Sequence, residues 1–159
     1  MDQYRFDKNM IKGRIAESLI EQLFERMGYE VYRYGMENTI PGIMKKLASS
    51  KPKEVINEIA KMPDFVVKYS NFIHFIEVKF RANGHFDFDD IGSYYPYKNA
   101  YFIVVSKRHI KCLSYSELEE GKKITPNSKN YLGNREDFKT RKDTIIQFCK
   151  FAVKFFESV

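Results

Sequence analysis

The sequence predicts one domain of the α/β class, on three observations. An amphipathic helical stretch near the N-terminus is followed by short strand-like runs, of which PDFVVKYSNFIHFIEVKFR (Pro63 to Arg81) and AYFIVVS (Ala100 to Ser106) are the most apolar, and a second apolar-faced helix runs from Asp143 to Val159. With 159 residues, 43% hydrophobic and 16% aromatic, the chain can bury one sizeable core and hardly two, so residues 1–159 are read as a single domain and global disorder is excluded.

The elements follow in order. Asn9 or Asp7 can cap the first helix, in which Ile11, Ile15, Leu19, Leu23 and Met27 recur at four-residue steps, Ile20 and Phe24 widen the stripe, and Gly28 ends it. Tyr29 to Tyr34 (YEVYRY) is a first strand. From 36 to 62 the pattern is helical in two stretches, broken at SSKPK, and forms an insertion before the next strand. Val66 and Val67, then Ile73, Phe75 and Ile76, read as a hairpin turning at Ser70-Asn71. Asp89, Asp90 and Ile91 open a short helix that Pro96 terminates. The run AYFIVVS suits a central strand covered on both faces. IKCLSY (Ile110 to Tyr115) alternates more and suits an outer strand beside it, and Ser116 with Glu119 has capping-box spacing. Residues 121–142, rich in Gly, Lys, Asn and Arg, read as a long basic loop. The last helix carries Ile145, Ile146, Cys149, Ala152, Val153 and Phe156 on a broad arc towards the sheet.

Composition narrows the partners. Lysine plus arginine number 27 against 21 acidic residues, a net charge of +6, which favours a polyanion. No apolar run reaches the roughly 18 residues of a membrane span, and MDQYRFDKNM lacks the apolar core of a secretory signal. The expectation is a soluble intracellular protein, cytoplasmic or nucleoid-associated, with no membrane partner. Cys112 and Cys149 stand far apart and outside any CxxC spacing, so both are read as reduced core thiols.

The charges in the hairpin carry the chemistry. If Ser70-Asn71 is the loop, Tyr69 faces Phe72, and counting back pair by pair sets Asp64 opposite Glu77, with Lys79 two residues on and on the same face. Side chains so paired stand roughly 4.5–5.5 Å apart at Cβ, where like charges repel. A hard divalent cation between the carboxylates would compensate, leaving Lys79 to hold a phosphate oxygen or tune a water. The alternative is a solvated strand end with a weak Glu-Lys pair. Glu17 likewise has two readings. It lies beside Phe24 at the margin of the apolar arc and can lean over a sheet edge, or it belongs with Glu21 and Glu25 to a solvated face, the reading that helical spacing alone favours.

Other residues divide in the same way. Lys45, Lys46, Lys51 and Lys53 form either a basic arm beside a nucleic acid or the polar surface of a helical cap. Tyr94, Tyr95, Tyr97 and Lys98 in SYYPYK either stack on bases and bind phosphates or simply pack. His74 faces away from Glu77 and is read as packed, and His85 as a surface histidine. Asp87, Asp89 and Asp90 lack the glycine and terminal glutamate of a calcium loop and are read as a helix N-terminus.

An acidic residue on the first helix, Pro63-Asp64 opening the second strand and Glu77-Val78-Lys79 inside the third together resemble the PD-(D/E)XK nuclease superfamily, the restriction-endonuclease-like fold. The resemblance runs from Lys12 to about Tyr115, and KGRIAE (Lys12 to Glu17) looks like the first-helix segment of Holliday junction resolvase-like members. It implies a mixed sheet flanked by helices, here with a longer insertion between strands one and two. It also implies Mg²⁺ or Mn²⁺ held by Asp64, Glu77 and the main-chain carbonyl of Val78, with Glu17 reaching the ion through water. Lys79 would orient or deprotonate the attacking water. The implied activity is hydrolysis of DNA to a 5′-phosphate and a 3′-hydroxyl in repair, recombination or defence, with RNA left open as substrate and a homodimer expected where both strands are cut. The other class of function is a non-catalytic module that keeps the fold and binds nucleic acid or a protein partner. It is suggested by the basic segment 121–142 and by the lack of a glutamine on the helix after the third strand.

Overall fold

In the computed structural model, which describes residues 2–157, the chain runs α1 (Gln3–Arg26), β1 (Glu30–Arg33), α2 (Met36–Thr39), α3 (Ile43–Leu47), α4 (Lys53–Ala60), β2 (Phe65–Tyr69), β3 (Phe72–Phe80), β4 (Tyr101–Val105), β5 (Ile110–Ser114), α5 (Tyr115–Glu119) and α6 (Lys142–Phe156). One sheet holds all five strands in chain order. The pairs β1–β2, β2–β3 and β4–β5 are antiparallel and β3–β4 is parallel. This is the expected mixed sheet flanked by helices, with the helical insertion between β1 and β2.

The hairpin register is the one the sequence predicts: Tyr69 pairs with Phe72 and Phe65 with Ile76. Ser70 takes the left-handed φ of 54° that lets so short a turn close. β2 stops at Phe65 while β3 continues to Phe80, so the last residues of β3 have a strand neighbour on the β4 side alone.

The sheet separates two apolar layers. Alternate residues of β4 serve both: Ile103 and Val105 join α1 and α6, whereas Phe102 and Val104 join Tyr95, Tyr115 and Leu118 on the other face. On the first face Phe24 is fully buried, with its ring edge-on to Tyr29 at 5.0 Å and to Phe138 at 5.8 Å. Burying such a ring is worth about 1.5–3 kcal/mol, and its neighbours set the geometry.

Several boundaries differ from expectation. α1 begins at Gln3, earlier than Asp7 or Asn9, because the Asp2 side chain caps the Tyr4 amide at 3.2 Å and Gln3 donates to Asp7 one turn on at 2.8 Å. The short helix after β3 is a single 3-10 turn, Phe88–Ile91, capped by Asp87 with Asp90, and it ends at Gly92 rather than at Pro96. The capping box before α5 is Ser114 with Glu117, two residues before the expected pair, since the end of β5 itself supplies the cap. On α6 Ile145, Phe148, Ala152 and Phe156 face inward, but Ile146 and Val153 point to solvent at 57% and 45% exposure. The expected continuation of that helix to Val159 lies outside the described residues.

Segment 121–142 is irregular but packed, not a free loop. Ile124 bridges to Phe86, Leu132 is fully buried, Phe138 is 4% exposed, and the Lys139 amide donates to the Tyr29 hydroxyl at 2.7 Å. This covering explains why β5, at the edge of the sheet, is nearly all buried. The insertion behaves in the opposite way: α3 and α4 carry no buried residue. Both cysteines are free thiols, Cys112 buried and Cys149 partly so. No helix among the described residues is long and apolar enough to cross a membrane.

Candidate functional site

The site forms where β2 runs out. The Val78 N–H faces the edge of β3 that β2 has left, and a buried N–H requires an acceptor. Asp64, the first residue beyond β2, supplies it: its Oδ2 accepts from the Val78 nitrogen at 2.8 Å. The Asp64 backbone is fixed too, its carbonyl accepting from the Tyr34 amide at 2.9 Å, which carries the β1–β2 ladder one step further. Since the N–H and C=O of a strand residue point to the same edge, the Val78 carbonyl opens onto this same notch.

Glu77 is set on the opposite face from Ile76 and Val78 and is 9% exposed. Lys79 shares its face, with Nζ 3.6 Å from Glu77 Oε2. Glu17 arrives from the helix. The fully buried Ala16 and Ile20 anchor α1 in the first layer, and Glu17 reaches over the sheet edge to Asp64, half-buried rather than on a solvated face. Of the series that suggested a solvated face, Glu25 is exposed and Glu21 pairs with Arg33 at 2.9 Å.

Electrostatics makes the three carboxylates one unit. Burial, then the negative charge of Asp64 and a hydrogen bond to it, push Glu17 up to about 8 despite Arg33 and Arg14 nearby. Asp64 is held well above the usual carboxylate range by burial first and by the charge of Glu77 second, the Val78 amide opposing. Asp64 thus interacts with both Glu17 and Glu77, and burial together with this crowding of like charges favours the protonated forms of Glu17 and Asp64. At an effective dielectric near 20, two bare charges about 4 Å apart would repel by about 4 kcal/mol.

The donor set suits a hard divalent ion. Among the described residues no three His, Cys, Asp or Glu side chains stand as a ready-made metal cage. Mg²⁺, however, is commonly held by one or two carboxylates with waters and substrate phosphate completing its shell, and Asp64, Glu77 and the Val78 carbonyl offer oxygen of that kind.

The remaining predicted residues fall into two groups. Tyr94 is 91% exposed and holds a left-handed φ of 58°. Lys98, Lys45, Lys46 and Lys51 are all exposed. Tyr95, by contrast, is 5% exposed and packs against Phe102, Tyr97 and Tyr115, which corrects its reading as a base-stacking residue. Adjacent tyrosines in an irregular stretch have no periodicity to tell inward from outward, so nothing in the sequence separates the two. The loop that carries them is tied to α4: Asn57 donates to the Tyr94 carbonyl at 3.3 Å, Lys61 to the Ser93 carbonyl, and the Tyr97 hydroxyl to the Glu58 carbonyl at 3.1 Å. His74 sits between Tyr101 and Phe138 on the face away from Glu77, and His85 is exposed, both as expected.

No family model matches the sequence, and no curated protein matches it. Among solved structures it is similar to an archaeal Holliday junction resolvase. That protein, Hjc of the hyperthermophile Archaeoglobus fulgidus, is 16% identical with a TM-score of 0.44, the match covering 74% of this chain and 88% of that one. The reading of the site therefore rests on its own residues.

Proposed function

We propose that the protein is a metal-dependent endonuclease that hydrolyses DNA phosphodiester bonds, leaving a 5′-phosphate and a 3′-hydroxyl, in repair, recombination or defence. The observation that carries this reading is the grouping of Glu17, Asp64 and Glu77 at an open sheet edge, with Asp64 fixed by the Val78 amide and the Lys79 ammonium 3.6 Å from Glu77. Asp64, Glu77 and the Val78 carbonyl would hold Mg²⁺ or Mn²⁺, and Glu17 would reach it through water. Such an ion supplies Lewis acidity at the phosphoryl oxygen and a lowered water pKa.

The chain's own groups do the rest. The Val78 amide fixes the Asp64 carboxylate at the notch. Lys79, held by Glu77 and about one-third exposed, can orient a nucleophilic water and offset negative charge developing on phosphorus. Exposed Tyr94 and Lys98 on the tethered loop, with Lys45, Lys46 and Lys51 on the insertion, supply a stacking face and positive charge for the polyanion. Cutting both strands of a duplex calls for a second copy of the chain.

The test is incubation of purified protein with branched, linear and single-stranded DNA, and with RNA, in Mg²⁺ or Mn²⁺. Divalent-dependent cleavage that Asp64→Ala and Lys79→Ala abolish supports the reading. Salt-dependent binding without cleavage would instead mark a non-catalytic nucleic-acid-binding module.

A further inference from the structure

The Tyr95 hydroxyl is the one buried side-chain polar atom among the described residues that lacks a hydrogen-bond partner. Buried polar groups are nearly always satisfied, so an orphan asks for an explanation, and a role at a functional site is one of them. The ring has little freedom to seek a partner elsewhere. It lies 5.4 Å from Phe102 and 5.9 Å, near parallel, from Tyr115, and the tether to α4 holds the segment on either side. Phe102 in turn is the β4 neighbour of Glu77 on the same face of the sheet. The phenol accordingly stands in the field of the site. Burial raises its pKa first, and the charges of Glu77 and Asp64 follow as the next causes.

We infer that Tyr95 is a positioning residue of the proposed metal centre, its hydroxyl donating to the carboxylate side of the ion's shell, at Glu77 or at a water bound there, when a divalent cation is held. The inference rests on the nuclease reading of the site. Ligating carboxylates need outer donors, as ligands in metal sites generally do. Asp64 has the Val78 amide for this purpose; the phenol is the buried donor on the Glu77 side.

The experiment compares wild type with Tyr95→Phe by Mn²⁺ titration calorimetry and by thermal melting in EDTA. Loss of an outer-shell donor typically weakens metal affinity 10–100-fold, so the variant should bind Mn²⁺ about 10-fold more weakly. Its melting temperature in EDTA should be unchanged or higher, because the deleted oxygen has no partner to lose. Equal Mn²⁺ affinity in the two proteins would overturn the assignment and leave the nuclease reading intact. A lower melting temperature in EDTA, or failure to fold, would show a structural role and overturn it as well. No Mn²⁺ binding to wild type would overturn the nuclease reading, and this assignment with it.

Discussion

The Val78 amide donates to Asp64 Oδ2 across 2.8 Å, so the residue expected to hold a metal also completes the sheet where β2 ends. The two tasks can be separated by chemistry. Asparagine keeps an oxygen that can accept from Val78 but carries no charge for an ion. Asp64→Asn should therefore leave the metal-free fold within about 1 kcal/mol of wild type in urea unfolding, since the acceptor survives. Cleavage should fall by about 100-fold or more, because the lost ligand acts at the reacting centre. Retained cleavage would remove Asp64 from the ion.

The raised pKa values of Glu17 and Asp64 make stability in EDTA depend on pH. Glu17 moves from an ordinary value near 4.5 to about 8, and Asp64 is raised as well, so the native state keeps protons that the unfolded chain releases. The stability these groups contribute is complete below about pH 4.5 and is lost as the pH rises towards about 8. Melting in EDTA should show a falling temperature across that window. Glu17→Gln should flatten the slope and raise the melting temperature at the alkaline end by about 2–4 °C, the effect of roughly 1 kcal/mol in a chain of this size. Mg²⁺ should restore wild-type stability there.

Tyr94 pairs a strained backbone with an exposed ring. A non-glycine residue at φ 58° costs of order 1 kcal/mol, which glycine would not. Tyr94→Gly should thus be no less stable than wild type, yet bind single-stranded or branched DNA more weakly, by about 1–3 kcal/mol if the ring stacks on a base. Fluorescence anisotropy with labelled oligonucleotides reads this directly.

Arg135 is the hub that fastens segment 121–142 to the sheet. Its guanidinium meets Glu117 at 2.7 Å and Asp137 at 2.9 Å, donates to the Cys112 carbonyl at 3.3 Å and lies over the Tyr101 ring at 5.3 Å. Against the cost of burial, Glu117 is held below the usual carboxylate range by the Ser114 amide and then Arg135, and Asp137 by Arg135 first. Arg135→Ala should destabilise the protein by about 1–3 kcal/mol, because Asp137 loses its cation and Glu117 keeps only Lys122, 3.5 Å away. Urea denaturation measures it.

Legibility in the sequence followed range. The hairpin register could be derived because a two-residue turn fixes pairing by counting, and β4 could be recognised because a strand covered on both faces has no polar positions. Asp64 beside Glu77 therefore came out of local spacing. Glu17 did not: whether a marginal glutamate meets solvent or a sheet edge depends on where the helix docks, a tertiary fact that no heptad-scale pattern encodes. The same applies to Tyr94 and Tyr95, whose opposite fates are set by the bonds from α4, and to Ile146 and Val153, which stay exposed because α6 meets the sheet along a narrower stripe than its apolar arc.

β4 gives Ile103 and Val105 to one layer and Phe102 and Val104 to the other, so neither layer can come apart while this strand stays in place. Its amides should exchange with solvent only when the whole molecule opens, and the two halves of the core should melt as one cooperative event. α3, which carries no buried residue, stands outside that event and should fray first.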